Sequence, residues 1–236
     1  EGGVRIMAGR QKAFSKDVQL IRDNAAKIAK KKWQSWVGTP HFFLAASALF
    51  KRKVEVDKDE RYAVAFESLK AIMAKYEVNA EKFTTAFYNR YSAHAAPKES
   101  TGEEYSLEWH SEATHIFTKL KNDALAQRRE MQVEDLIKVM FSDKSYRLRK
   151  VFEDIFDDDI PKADTLAEEF VAAFNIVQAK QQIDSLEKIQ QLTTDQKDIG
   201  GAVDGILTHI KSNSANAVLE GKYPFLKLLS EGRKQA

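Results

Sequence analysis

The chain has 236 residues, with 37 Lys+Arg against 35 Asp+Glu for a net charge of +2, and it contains no cysteine. That length can bury roughly 70% or more of the unfolded surface, as one large domain or two small ones, and the 43% hydrophobic and 10% aromatic content excludes intrinsic disorder. Without cysteine there is no disulfide scaffold, thiolate metal site or cysteine nucleophile, and the near-neutral balance removes the global electrostatic case for nucleic acid.

Glycine and proline, the strongest breakers of regular structure, are sparse. Between Thr39 and Ile199 the only glycine is Gly102, and the prolines are Pro40, Pro97, Pro161 and Pro224. Breaks are therefore expected near 38–40, 97–102, 161, 200–205 and 221–224, with helix-length pieces between them. Both ends, Glu1 to Gly9 and Gly232 to Ala236, read as frayed. A chain that opens on Glu1 rather than Met reads as a mature or trimmed form, with no secretory signal in view.

The first predicted helix carries Phe14, Val18, Ile21, Ala25 and Ile28 in alternating steps of four and three, which keeps one apolar stripe on one face. Lys27, Lys30, Lys31 and Lys32 follow beside Trp33 and Trp36. This resembles the basic-plus-aromatic recipe for single-stranded nucleic acid, but it also suits a helix end whose lysines complement the negative dipole while the tryptophans enter the core. Thr39 before Pro40 reads as an N-cap with proline at the first helical position. The helix behind it, with Phe42, Phe43, Leu44, Leu49 and Phe50, is apolar around much of its circumference, so it is expected to be central and buried. It is far too short to span a bilayer.

Lys53 to Asp57 alternates for too short a stretch to make a strand, and no other period-two pattern appears. After Asp57 and Asp59 the helical stepping returns at Tyr62, Phe66, Leu69, Met73 and Tyr76, and Asn79 reads as the cap of another helix. A third stripe is predicted through Trp109, Ala113, Ile116 and Leu120, a fourth through Leu148, Val151, Phe152, Ile155 and Phe156, and a fifth through Leu166, Phe170, Phe174 and Val177, on a helix started by Pro161. The fifth continues toward Ile183, Leu186 and Ile189 in a Gln-rich stretch. C-terminal helices from Ile206 to Leu229 follow the Gly200 to Gly205 joint, with Gly221 and Gly232 as stops. The expected fold is all-α, a bundle or stacked array of eight to ten helices.

Few residues point to chemistry. Glu112 and His115 share a helix face, the spacing used by carboxylate-bridged di-metal bundles, but no second Glu-x-x-His exists, so a structural histidine and no metal are expected. Asp154, Asp157, Asp158 and Asp159 lack the alternating ligands, central glycine and distal glutamate of a calcium loop, and read as a solvated acidic linker. No Gly-rich phosphate loop, His-Glu-x-x-His or Gly-x-Ser-x-Gly is present, and no cofactor is expected.

Trp33, then Pro40 seven positions later, the apolar helix with Phe43, a charged connection and the segment Tyr62, Phe66, Tyr76 together resemble the tryptophan-then-tyrosine (WY) helical unit of oomycete RXLR effectors. In that family a Trp on one helix packs against a Tyr on a later one at the centre of a small bundle, which suits two large rings whose polar ends need partners. A degenerate second copy would run from Val133 through Leu136, Ile137 and Met140 to Tyr146, Phe152 and Ile155, with Ala124 or Leu125 in place of Trp, and both copies would share a short apolar helix followed by a longer one. The translocation motif that names the family is absent. The organisation expected is an N-terminal helix over 1–29, a WY-like unit over 30–100, a second unit over 101–160 and C-terminal helices over 161–236.

The resemblance implies a non-enzymatic virulence effector, secreted and then acting inside a host cell by binding a host protein. An RNA-binding nucleoprotein or helical scaffold is the other reading, and low net charge makes nucleic acid the lesser of the two. The stripe that reaches Leu186 and Ile189 is longer than one intramolecular neighbour needs, so these residues are the candidate interface for a partner helix or a homo-oligomer, the alternative being that the C-terminal helices from Ile206 to Leu229 fold back over it.

Overall fold

The structure, a computed structural model, describes residues 12–32, 34–91 and 107–192, with side chains to 187. It holds eight α-helices: α1 Lys16–Lys31, α2 Thr39–Glu55, α3 Ala63–Lys75, α4 Ala80–Tyr91, α5 Ser111–Gln127, α6 Val133–Ser142, α7 Arg147–Ile155 and α8 Ile160–Leu192. A 3-10 turn, Glu60–Tyr62, leads into α3. Two strands of two residues each, β1 Trp36–Val37 and β2 Glu108–Trp109, pair in parallel. Helix makes up 78% of the structure, so the all-α reading holds. The breaks expected at 97–102, 200–205 and 221–224, both frayed ends and the C-terminal helices lie outside the described residues, as does Trp33.

Helix α2 is the centre, as its all-round apolar surface requires: Phe42, Phe43, Ala45, Ala46, Leu49 and Phe50 are all buried. It packs against α1, α3, α6 and α7. Phe43 illustrates how one side chain joins the bundle. Its ring lies 5.0 Å from Phe83 of α4, 5.8 Å from both Phe141 of α6 and Phe152 of α7, and 5.9 Å from Phe170 of α8. Phe141 and Phe170 stack at 4.3 Å, closing this aromatic cluster. The segments expected as separate units share it, and one contiguous set of buried residues draws on every helix.

The predicted stripes form buried faces with local changes. Phe14 precedes α1 and bridges to Met131 instead of continuing the helical face. Trp109 is not on the third helix; it belongs to β2, and the buried face of α5 is Ala113, Ile116, Leu120 and Ala124. Thr39 is not the cap of α2, because Gly38 holds the extended cap position and Thr39 is the first helical residue. Asn79 does cap α4, its Oδ1 accepting from Lys82 N–H at 2.7 Å. Pro161 is the second residue of α8, as expected of a helix start. In both expected copies the order of lengths is reversed, since α2 has 17 residues and α3 has 13, and α6 has 10 and α7 has 9.

Four helix ends turn without glycine. Lys58, Glu77, Arg128 and the pair Asp157 and Asp158 take positive φ of 52° to 64°. Helix α8, 33 residues and about 50 Å long, buries Ala163, Leu166, Phe170, Phe174 and Val177 against the bundle, and its side chains from 178 to 187 are only partly buried or exposed.

Replacing Phe43 with Ala removes ring contacts to four helices at once, and the expected loss is about 3 to 5 kcal/mol. Urea unfolding followed by far-UV circular dichroism measures it; a loss under about 1 kcal/mol would show that Phe43 does not tie these helices together.

Candidate functional site

The N-termini of α2, α5 and α7 meet at one point, and Glu112 lies between them. It sits in the first turn of α5 and is 7% exposed. Its Oε1 accepts from Thr39 N–H at 2.8 Å and from the Thr39 hydroxyl at 3.0 Å, and its Oε2 accepts from Arg147 N–H at 2.7 Å. The Thr39 hydroxyl in turn accepts from Leu148 N–H at 2.9 Å. Backbone donors that helix starts leave unpaired are thus satisfied by one carboxylate and one hydroxyl, at a place where the dipoles of α2 and α7 favour negative charge.

The wall of this junction is aromatic. Trp36 is 7% exposed and meets His41 at 5.0 Å, Tyr91 at 5.3 Å, His110 at 6.0 Å and Phe87 at 6.2 Å, all edge-to-face. The Arg147 guanidinium lies over the rings of Trp36, at 4.6 Å, and Tyr91, at 5.5 Å, and donates to His110 Nε2. The β1 and β2 pairing holds the two ends of the junction in register, with Glu108 N–H donating to Ser35 C=O at 2.9 Å and His110 N–H to Val37 C=O at 2.9 Å. Gly38 is required for space, since its φ of −141° suits any residue. A Cβ there would meet Glu112 Oε1 and come within 2.8 Å of the Trp36 ring.

Behind Trp36, His41 is fully buried and built as a neutral ring. Its Nδ1 accepts from Gly38 N–H at 3.2 Å, so Nε2 carries the proton toward Gln34 Oε1 at 2.6 Å. Burial pushes its pKa down to about 3.

The expected pairing of Trp33 with the Tyr62 to Tyr76 segment lies outside the described residues, and the neighbouring Trp36 takes other partners. Trp36 packs against Phe87 and Tyr91 of α4, not against the helix with Tyr62, Phe66 and Tyr76, because strand pairing with β2 carries it to the α4 and α7 side. The other named core residues are buried elsewhere. Pro40 and Phe43 lie in α2, and Phe66 lies in α3. Tyr62 donates its hydroxyl to Asp17 of α1, and burial pushes that phenol's pKa up. Tyr76 donates to Glu169 of α8 at 3.0 Å, an acceptor shared with Lys75 at 2.5 Å.

Glu112 and His115 do not converge: Glu112 serves the helix ends, while His115 Nδ1 lies 3.1 Å from the Tyr146 hydroxyl. Among the described residues no group of three His, Asp or Glu side chains could hold a metal. Asp154 faces Arg90. Lys27, Lys30, Lys31 and Lys32 are exposed at the end of α1, and Lys32 sits over Tyr88 at 5.0 Å. Leu186 is half-buried beside Gln178, Gln181 and Gln182, along a shallow cleft of about 480 Å³; the Ile189 side chain lies outside the described residues. Nothing in the sequence flagged Thr39, Gln34, His41 or Arg147 as members of one cluster; Thr39 and Glu112 at the starts of α2 and α5 were the one signal present.

No protein-family model, no curated protein and no solved structure matches this chain.

Two outcomes are expected at the junction. Glu112→Gln replaces an acceptor oxygen with an NH₂ that must oppose a backbone N–H, so it is expected to cost about 1 to 3 kcal/mol, and Glu112→Ala more; chemical denaturation reads both. For His41, the unfolded ring binds a proton below its ordinary value of 6.5 while the folded ring stays neutral down to about 3. Stability then falls as pH drops through that window, by about 2 kcal/mol between pH 6.5 and 5. His41→Asn should flatten this slope whatever its stability at pH 7, and an unchanged slope would assign it to other groups.

Proposed function

We propose that the protein is a non-enzymatic helical interaction module, a virulence effector that works inside a host cell by binding a host protein. The observation that carries the reading is the Trp36 and Tyr91 contact, with ring centroids 5.3 Å apart inside a small all-α bundle. A Trp packed against a Tyr of a later helix is akin to the pairing on which the effector resemblance rests, although here the Trp is Trp36 of β1 in place of Trp33 and the Tyr is Tyr91 of α4. The junction supports a scaffold role as well. Glu112, Thr39, His41 and Gln34 are buried and bonded to one another or to helix ends, which directs their hydrogen-bonding capacity to holding helices. Binding would then rest on surface residues, and no described helix is long and apolar enough to cross a membrane.

The test is affinity purification with the full chain from host-cell extract, with nuclease added, against a folded helical protein of equal charge. A stoichiometric protein partner that survives 0.5 M salt is the expected result, since apolar contacts outlast screening while phosphate contacts do not. Recovery of nucleic acid alone, lost at that salt, would transfer the assignment to the RNA-binding reading.

A further inference from the structure

Four large hydrophobic side chains are exposed among the described residues, and two of them lie along one face. Trp109 of β2, two residues before α5 begins, is 37% exposed, and Leu125 near the end of α5 is 64% exposed. Between them Thr114, Thr118 and Lys121 are all exposed. With Leu125 they follow steps of four, three and four, so they share a face about 17 Å long. Phe14, Arg22, Phe117 and Trp109 complete a cleft of about 330 Å³ at the Trp109 end.

The charges of this cleft are of one sign. Arg22 and Lys121 are the charged residues that line it, and neither forms an ion pair among the described residues. Asp23 and Asp123, the acids next to them in sequence, do not line it. Arg22 instead lies over the Trp109 ring at 5.0 Å and the Phe117 ring at 5.7 Å, a geometry that holds the guanidinium in place with its N–H edge available for an acceptor. The Trp109 ring also stacks on buried Phe42 at 5.9 Å and 12°. With Phe42 on it and Arg22 over it, the indole offers an edge to a partner rather than a face, which disfavours base stacking. An aliphatic second anchor at Leu125 disfavours nucleic acid further.

We infer that the α5 face from Trp109 to Leu125 docks an acidic peptide segment of a partner protein, its apolar side chains seated at Trp109 and Leu125 and its carboxylates on Arg22 and Lys121. This rests on the interaction-module reading and names the surface that such a module would use. A segment of three or four helical turns matches the length of the face, with apolar anchors at its ends and acids between. The surface differs from the Leu186 stretch of α8, whose cleft is lined mainly by glutamine.

The experiment uses the full chain and a fluorescein-labelled 14-residue peptide of Glu and Leu with one Trp, its Lys-for-Glu counterpart, and a 12-nucleotide single-stranded DNA. Fluorescence anisotropy should show the acidic peptide binding wild type at least tenfold more tightly than the Lys peptide. Arg22→Glu with Lys121→Glu should reverse that preference, and Leu125→Ala should weaken the acidic peptide several-fold. All three positions are exposed, and circular dichroism checks that the variants stay folded. The inference is overturned if the acidic peptide fails to bind, if charge reversal leaves its affinity unchanged, if the DNA binds as tightly and depends on the same two cations, or if the mass of the chain alone doubles and Leu125→Ala restores the monomer. If the charge-reversed chain still captures the partner found in host extract, this surface is wrong and the module reading stands; if wild type captures none, the module reading itself falls.

Discussion

One carboxylate holds the bundle in its arrangement. Glu112 is nearly buried, and a buried charge without partners is costly. Here the partners are two backbone N–H groups and a hydroxyl at the starts of two other helices, so the charge and the unpaired donors cancel each other's desolvation. The neighbouring residues follow from this placement: Gly38 leaves room for the carboxylate and for the Trp36 ring, and the Arg147 guanidinium lies over that ring.

The polar residues and the aromatic residues divide the work. Polar contacts fix where helices begin, at Thr39, Glu112 and Arg147, while rings fix how helices cross, with Phe43 touching four of them. Both systems leave the outer side of α5 unused. Trp109 is anchored by Phe42 from within, and its outer edge, Lys121 and Leu125 remain at the surface. A rigidly held aromatic beside a positioned guanidinium suits binding, because little side-chain freedom remains to be lost when a partner arrives.

The helical stripes were legible because burial on one helix face leaves a period that sequence displays directly. Val18, Ile21 and Ala25, and later Leu166, Phe170 and Phe174, needed only spacing to be read. Several helix ends were not legible, since Lys58, Glu77, Arg128, Asp157 and Asp158 adopt the left-handed turn usually assigned to glycine. The partners of Trp36 were not legible either. A parallel pairing of only two residues per strand decides them, and two residues give no alternation to detect. The role of Glu112 was hidden for a related reason: its spacing to His115 suggested a shared face, while its bonds run to residues 73 and 35 positions away.

Those long sequence separations bear on how far the chain can be dissected. The hydroxyl of Thr39 is tied to Leu148, 109 positions on, and Glu112 is tied to both neighbourhoods. A cut between Thr39 and Arg147 separates the carboxylate from at least one of its donor residues. Residues 39–148 thus form the smallest stretch that can close the junction, longer than either of the two units read from the sequence. A helical unit with such a clasp cannot be copied in tandem by duplicating 70 residues. Duplication would have to carry the whole interlocked stretch, and recombination within it would separate elements that stabilise one another only when all are present.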